Sequence, residues 1–143
     1  MKTDSIDLLI TLKAHRQAGA SPVNKHTYTV LVDGQAKETR TLMETEFVDS
    51  FLVELSLELA PGEHSLQVYY RNDESKGVLE IQNIYVAGEQ GGVNLDSLLR
   101  REGYVTYGPD RVEKNKVGIW HHGSYWIKFN SPIFYWLLSK FPI

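Results

Sequence analysis

The feature that most limits what this chain can fold into is an alternation of apolar and polar side chains, cut at short intervals by turn-forming pairs. In His26-Thr27-Tyr28-Thr29-Val30-Leu31-Val32 every second residue can face a core, and Asp33-Gly34 follows. A period of two is the signature of a half-buried strand and is incompatible with a helix. Asp-Gly supplies the positive φ angles of a tight hairpin turn. The same pattern predicts strands over residues 6–15, 35–43, 47–59, 64–71 and 78–86. Between them lie a Gly19, Ser21, Pro22 loop, the turn Ala60-Pro61-Gly62-Glu63, a polar loop from Asn72 to Gly77, and Ala87-Gly88. Strands at this spacing read as an all-β, jelly-roll-like antiparallel β-sandwich over residues 5–88.

Beyond the Gly91-Gly92 break the character changes, and residues 89–143 read as a C-terminal extension packing on the sandwich or on a partner. Asn94 is placed to cap a short helix over 95–101, stopped at Gly103. Residues 104–107 form a short strand. Residues 117–121 and 124–130 flank His122-Gly123 as an aromatic hairpin. Ser131-Pro132 then offers an N-cap and a first-turn proline to a short C-terminal helix, Ile133-Phe134-Tyr135-Trp136-Leu137-Leu138. That helix is apolar on every side, so it must be buried in its own domain or against another chain.

A chain of 143 residues is long enough for one good core, and 42% hydrophobic with 23% charged residues is the balance of an ordered globular protein. Eighteen acids against fifteen bases leave a formal charge of -3, which offers phosphates no basic field and argues against nucleic acid as a partner. The absence of cysteine removes disulfides, thiolate nucleophiles and thiolate metal sites together. Leu8-Leu9-Ile10 is far shorter than a signal-peptide core or a membrane span, so neither secretion nor membrane insertion is expected, and the chain reads as a stand-alone gene product.

Groups that would do chemistry are not brought together. There is no Gly-x-Ser-x-Gly, no phosphate-cradling glycine loop and no His-Glu-x-x-His. His121 and His122 are adjacent, so on a strand they point to opposite faces and cannot converge on a metal. Asp49 and Glu54, weighed as paired carboxylates, read instead as a wet strand face and an edge guard, and the mixed charges around Arg100-Arg101-Glu102 as a solvated surface. The chain is expected not to be an enzyme. The aromatics Tyr69, Tyr70, Trp120, Tyr125, Trp126 and Trp136 are candidates for stacking on sugar, set against core or interface packing for those that alternation turns inward. Trp126 and Phe129, three apart, cannot share one face of a regular strand.

Several segments carry a family resemblance: Ile10-Thr11-Leu12-Lys13-Ala14, Val30-Leu31-Val32-Asp33-Gly34, Gly62-Glu63-His64-Ser65-Leu66-Gln67-Val68 with Asn72-Asp73, and Ile84-Tyr85-Val86-Ala87-Gly88. Together they resemble the calcium-dependent, xylan-binding type of carbohydrate-binding module. The resemblance implies a jelly-roll sandwich, a glycan partner met by Tyr69, Tyr70 and Asn72, and Ca2+ held by Asp73 with Glu80 and Gln82, since a hard cation takes oxygen ligands. It departs where the family carries an Arg-Asn pair and a downstream Asp, positions that fall on Gly77, Val78 and Gln82. The closing segments, Gly123-Ser124-Tyr125-Trp126-Ile127-Lys128-Phe129 and the 131–138 run, look like tails of small accessory structural proteins of tailed phages. That implies a virion location and an oligomeric assembly with other virion or scaffold subunits through Trp120, Trp126, Ile133, Phe134, Tyr135, Trp136 and Leu137. Two functions follow: a non-catalytic structural module decorating a capsid or tail, or a calcium-dependent carbohydrate-binding module.

Overall fold

The structure is a computed structural model that describes residues 3–16, 26–42, 50–72, 77–89, 91–120 and 122–140. Its strands are β1 (Asp4–Arg16), β2 (His26–Val32), β3 (Gln35–Thr41), β4 (Ser50–Leu59), β5 (Gly62–Asn72), β6 (Gly77–Gly88), β7 (Gly91–Asn94), β8 (Tyr104–Tyr107), β9 (Arg111–Lys114), β10 (Gly118–Ile119) and β11 (Gly123–Ser131). Two helices, α1 (Asp96–Glu102) and α2 (Ile133–Lys140), complete it. Among the described residues five strands form a first sheet, in the order β10-β6-β1-β4 with β7 also on β6. Six form a second, in the order β3-β2-β5-β11-β8-β9. The strand pairs are antiparallel throughout, which is the sandwich expected from the alternation.

The core is the set of inward positions that the period of two selects. From the first sheet come Ile6, Leu8, Ile10, Leu12, Ile81, Ile84 and Val86; from the second, Tyr28, Val30, Leu66, Val68, Tyr70, Tyr125 and Ile127. Asp33 and Gly34 take φ of 52° and 79°, the paired left-handed conformation that the tight turn between β2 and β3 demands. One irregularity interrupts the first sheet: Thr11 faces Asn83 and Leu12 faces Ile81, so Gln82 is the extra residue of a β-bulge. The bulge lets Ile81 and Ile84, three apart, both point inward.

After residue 88 the arrangement departs from expectation in four places. The glycine-rich break continues directly into β7, which folds back on β6. Asn94 does not cap α1: it ends β7, and its side-chain oxygen accepts a hydrogen bond from the Asn83 amide at 2.8 Å. The aromatic hairpin does not form either, because β10 joins β6 in the first sheet while β11 runs between β5 and β8 in the second. His122-Gly123 therefore falls between strands of different layers and not between hairpin partners.

The fourth departure concerns the terminal helix. Ser131 and Pro132 are joined by a cis peptide bond, and the N-terminus of α2 is capped from a distance. One carboxylate oxygen of Asp4, on β1, accepts the Ile133 N–H at 2.9 Å and the Ser131 hydroxyl at 3.2 Å. Nor is the helix buried all round. Ile133, Trp136 and Leu137 enter the core, Phe134 packs partly against it, and Tyr135 and Leu138 face outward. Arg101 donates to the Lys140 carbonyl at 2.8 Å and Lys140 pairs with Glu102 at 3.1 Å, tying α2 to α1.

Candidate functional site

The outer face of the second sheet is where side chains with chemistry converge. Register sets Trp126 on β11 opposite Gln67 on β5 and Tyr104 on β8, and Ser124 opposite Tyr69 and Thr106. Alternation turns all of these away from Tyr125 and Ile127, which face the core. Tyr69, Trp126 and Tyr104 thus form an oblique aromatic row across three strands. The Trp126 and Tyr104 rings are near-parallel, 10° apart with centroids separated by 6.5 Å. The indole N–H donates to the Thr106 hydroxyl at 2.9 Å, and the Gln67 amide donates to the Ser124 hydroxyl at 2.8 Å. The platform is therefore locked before any ligand arrives, which limits the ordering that binding would require.

Beside this row opens a cleft of about 480 Å³, lined by Tyr104, Thr106, Gly108 and Trp126 on one side and by Asp33, Glu63, His64, Ser65 and Lys128 on the other. Small-molecule sites usually fall between about 300 and 1,000 Å³. Gly108, with φ of 68°, adds no side chain to the wall.

The cleft's far wall is braced by an ion pair built on the β2–β3 turn. His64 Nδ1 lies 2.6 Å from Asp33 Oδ2 and its Nε2 lies 2.6 Å from the Ala60 carbonyl, while Asp33 Oδ1 accepts the Ser65 N–H at 2.9 Å. Both ring nitrogens face acceptors, which only the imidazolium satisfies, by donating twice. Burial opposes the charged ring, yet the bonds to Asp33 and Ala60 outweigh it and raise the His64 pKa. Burial likewise opposes the Asp33 carboxylate, and the bonds from His64 and Ser65 overcome it and hold its pKa below the usual value.

The residues singled out in the sequence are scattered by the fold. Tyr69 stands on the outer face, 37% exposed, whereas Tyr70 is fully buried, its hydroxyl 2.6 Å from the ring of His26, and cannot stack on a ligand. Tyr125 is also core, its hydroxyl donating to the Leu99 carbonyl at 2.9 Å. Asn72 ends β5, but its side chain lies outside the described residues, as do Asp73, His121 and Asp49. Of the residues expected at an interface, Ile133, Trp136 and Leu137 are taken up by intramolecular packing and Phe134 is half-buried. Trp126 belongs to the platform, and Trp120 and Tyr135 are exposed. The residues that sequence reasoning did not bring together are Tyr104, Thr106, Lys128 and the Asp33–His64 pair. The i, i+2 series Ser124, Trp126, Lys128 marks one face of β11, but only register brings β8 and the β2–β3 turn beside it.

For calcium the described donors fit poorly. Glu80 and Gln82 lie on the first sheet. Glu80 is paired with Lys13 in the β1–β6 ladder and its carboxylate sits 3.6 Å from His15, while the Gln82 side-chain oxygen accepts the Ser50 hydroxyl at 2.7 Å. Among the described residues no three His, Cys, Asp or Glu side chains converge as metal ligands, and no helix is long and apolar enough to cross a membrane.

No protein-family model and no curated protein sequence matches the chain. Solved structures do resemble it. A form of vCBM60, described in connection with a circular permutation that links two families of calcium-dependent carbohydrate-binding modules, superposes with a TM-score of 0.55. The identity is 13%, over 85% of this chain and 89% of the other. A complex of vCBM60 with galactobiose gives a TM-score of 0.46 at 11% identity over 87% of this chain and 97% of that one. At such identity it is the fold alone that is common: this chain shares the antiparallel β-sandwich of vCBM60.

Proposed function

We propose that the chain is a non-catalytic carbohydrate-binding module that takes glycan on the outer face of its second sheet, over Trp126 and Tyr104. The observation that carries this reading is the aromatic pair itself. A tryptophan on an outward strand position has its ring fixed by Thr106 and parallel to a tyrosine, at the edge of a cleft rimmed with hydroxyl and charged groups. Sugar rings present flat C–H faces that pack on aromatic rings, with hydroxyls left over for polar neighbours. The sandwich shared with vCBM60 supports the same reading.

The test is a glycan array followed by calorimetric titration of any hit. Trp126→Ala is expected to weaken binding by ~30-fold, the loss of about 2 kcal/mol typical of a central aromatic anchor, with little change in melting temperature. A blank array, or unchanged affinity in Trp126→Ala, overturns the reading.

Calcium dependence, the property of the neighbour, is a separable question. The carbonyl and carboxylate oxygens of the 72–77 connection would be its source here, joined by Glu80 and Gln82 only if their present partners yielded. Ser65, on the cleft, and Asn72, at the far end of β5, are separated by seven residues of extended strand, about 23 Å. Binding at the cleft is therefore expected to survive chelation, and its loss with chelator would shift the site to the 72–77 end. For a virion role, the packing of Ile133, Trp136 and Leu137 into this chain's own core leaves only Tyr135 and Leu138 of the apolar 133–138 run exposed to meet a partner.

A further inference from the structure

The cleft has an arrangement of charge as well as a shape, with its cation on the side nearer Trp126. Lys128 follows Trp126 by two residues on β11 and lies opposite Ser65, so its stem rises from the same outer face. Among the described residues no carboxylate pairs with its ammonium. Of the two acids lining the cleft, Asp33 has both oxygens engaged, by His64 and by the Ser65 N–H. Glu63, the cleft's other acid, lies opposite Asn130, one step beyond Lys128 and away from Trp126, at the rim. The order along the groove is therefore aromatic pair, unpaired ammonium, rim carboxylate. Thr106 contributes a further polar group: its oxygen accepts the indole N–H, which leaves its own O–H free to donate.

We propose that this cleft selects an acidic sugar, with a pyranose ring on Trp126, its carboxylate against the Lys128 ammonium and the Thr106 hydroxyl as a further donor. The proposal rests on the cleft being the glycan site and adds the charge of the ligand. An ammonium–carboxylate contact is stronger than a neutral hydrogen bond, and because Lys128 is exposed the attraction is screened by salt. The screening length falls from about 10 Å at 0.1 M to about 3 Å at 1 M.

The experiment titrates the intact protein, Lys128→Met and Trp126→Ala with uronate- and sialate-bearing oligosaccharides, each paired with its neutral counterpart, at low and high salt. Melting curves confirm that the variants fold. The expected result is an acidic ligand bound at least about tenfold more tightly than its neutral partner at low salt, one decade of affinity being ~1.4 kcal/mol. That preference should disappear in Lys128→Met and shrink at high salt, and both ligands should be weakened ~30-fold in Trp126→Ala. Equal affinity for acidic and neutral sugars, unchanged in Lys128→Met, overturns the charge selectivity and leaves the glycan reading standing. Acidic binding of undiminished affinity in Trp126→Ala is adsorption to charge and overturns the proposal. Failure of every sugar in both classes overturns the proposal together with the reading beneath it.

Discussion

Replacing Trp136 with alanine asks whether helix α2 is part of the sandwich or a free anchor. The side chain is 9% exposed, meets Phe129 edge-on with ring centroids 6.3 Å apart, and shares one small interior gap with Leu8, Leu66, Ile84 and Ile127. Truncating a buried tryptophan removes its transfer free energy and leaves a void, together about 3–5 kcal/mol. The position at the margin of the core lets solvent refill part of the void, which points to the lower end, ~3 kcal/mol. For a chain of 143 residues the unfolding entropy near the midpoint is roughly 0.3 kcal/mol/K, so the melting temperature should fall by about 10 °C. Tyr135→Ala is the internal control, since that ring is 70% exposed, and should change stability by no more than about 0.5 kcal/mol. Calorimetry or circular dichroism reads both. A Trp136→Ala midpoint within about 2 °C of the parent, or an equal loss in Tyr135→Ala, would refute the packing argument and restore the tail to an anchoring role.

Two other perturbations follow from the geometry. Because the folded-state pKa of His64 is raised, its pairing stabilises the fold fully below its unfolded value of about 6.5 and is lost as pH climbs through the folded value. With Asp33 half exposed, the loss should stay under ~1 kcal/mol. Urea midpoints between neutral and alkaline pH should fall more in the parent than in His64→Gln, and parallel curves would disprove the linkage. Gly103→Ala tests the seam between α1 and β11. An added Cβ would stand 2.3 Å from both the Leu99 carbonyl oxygen and the Tyr125 hydroxyl, a clash with backbone that should cost about 3 kcal/mol. A Gly103→Ala melting temperature equal to the parent's would count against that contact.

What could be read without the structure was what is local. The 26–32 run and its Asp-Gly turn carry strand, face and reversal within nine residues, and β2 spans that run. Locality is also why the pattern over 117–130 points to the wrong partner. His122-Gly123 announces a change of direction, but whether the next strand pairs with its predecessor or crosses to the other layer depends on β5 and β8, distant in sequence. The apolar run at 133–138 says that something must be covered without saying by what, and the cap from Asp4 is invisible from Ser131. At the site, parity along β11 separates Trp126 and Lys128 from Tyr125 and Phe129. Bringing Tyr104 beside Trp126, and Asp33 beside His64, requires register and the sandwich's closure.

The position of β11 also governs the order in which the molecule can be made. It lies between β5 and β8, so the β3-β2-β5 half and the β8-β9 hairpin stay separate until residue 131 has been synthesised. During translation β5 therefore waits with an unpaired edge, the condition under which nascent strands find partners on other chains. The pairing that closes the sheet joins Gly62 to Ser131, a long-range contact of the kind that slows folding. The interval between the completion of β5 and the docking of β11 is therefore when this chain is most open to pairing with the wrong strand.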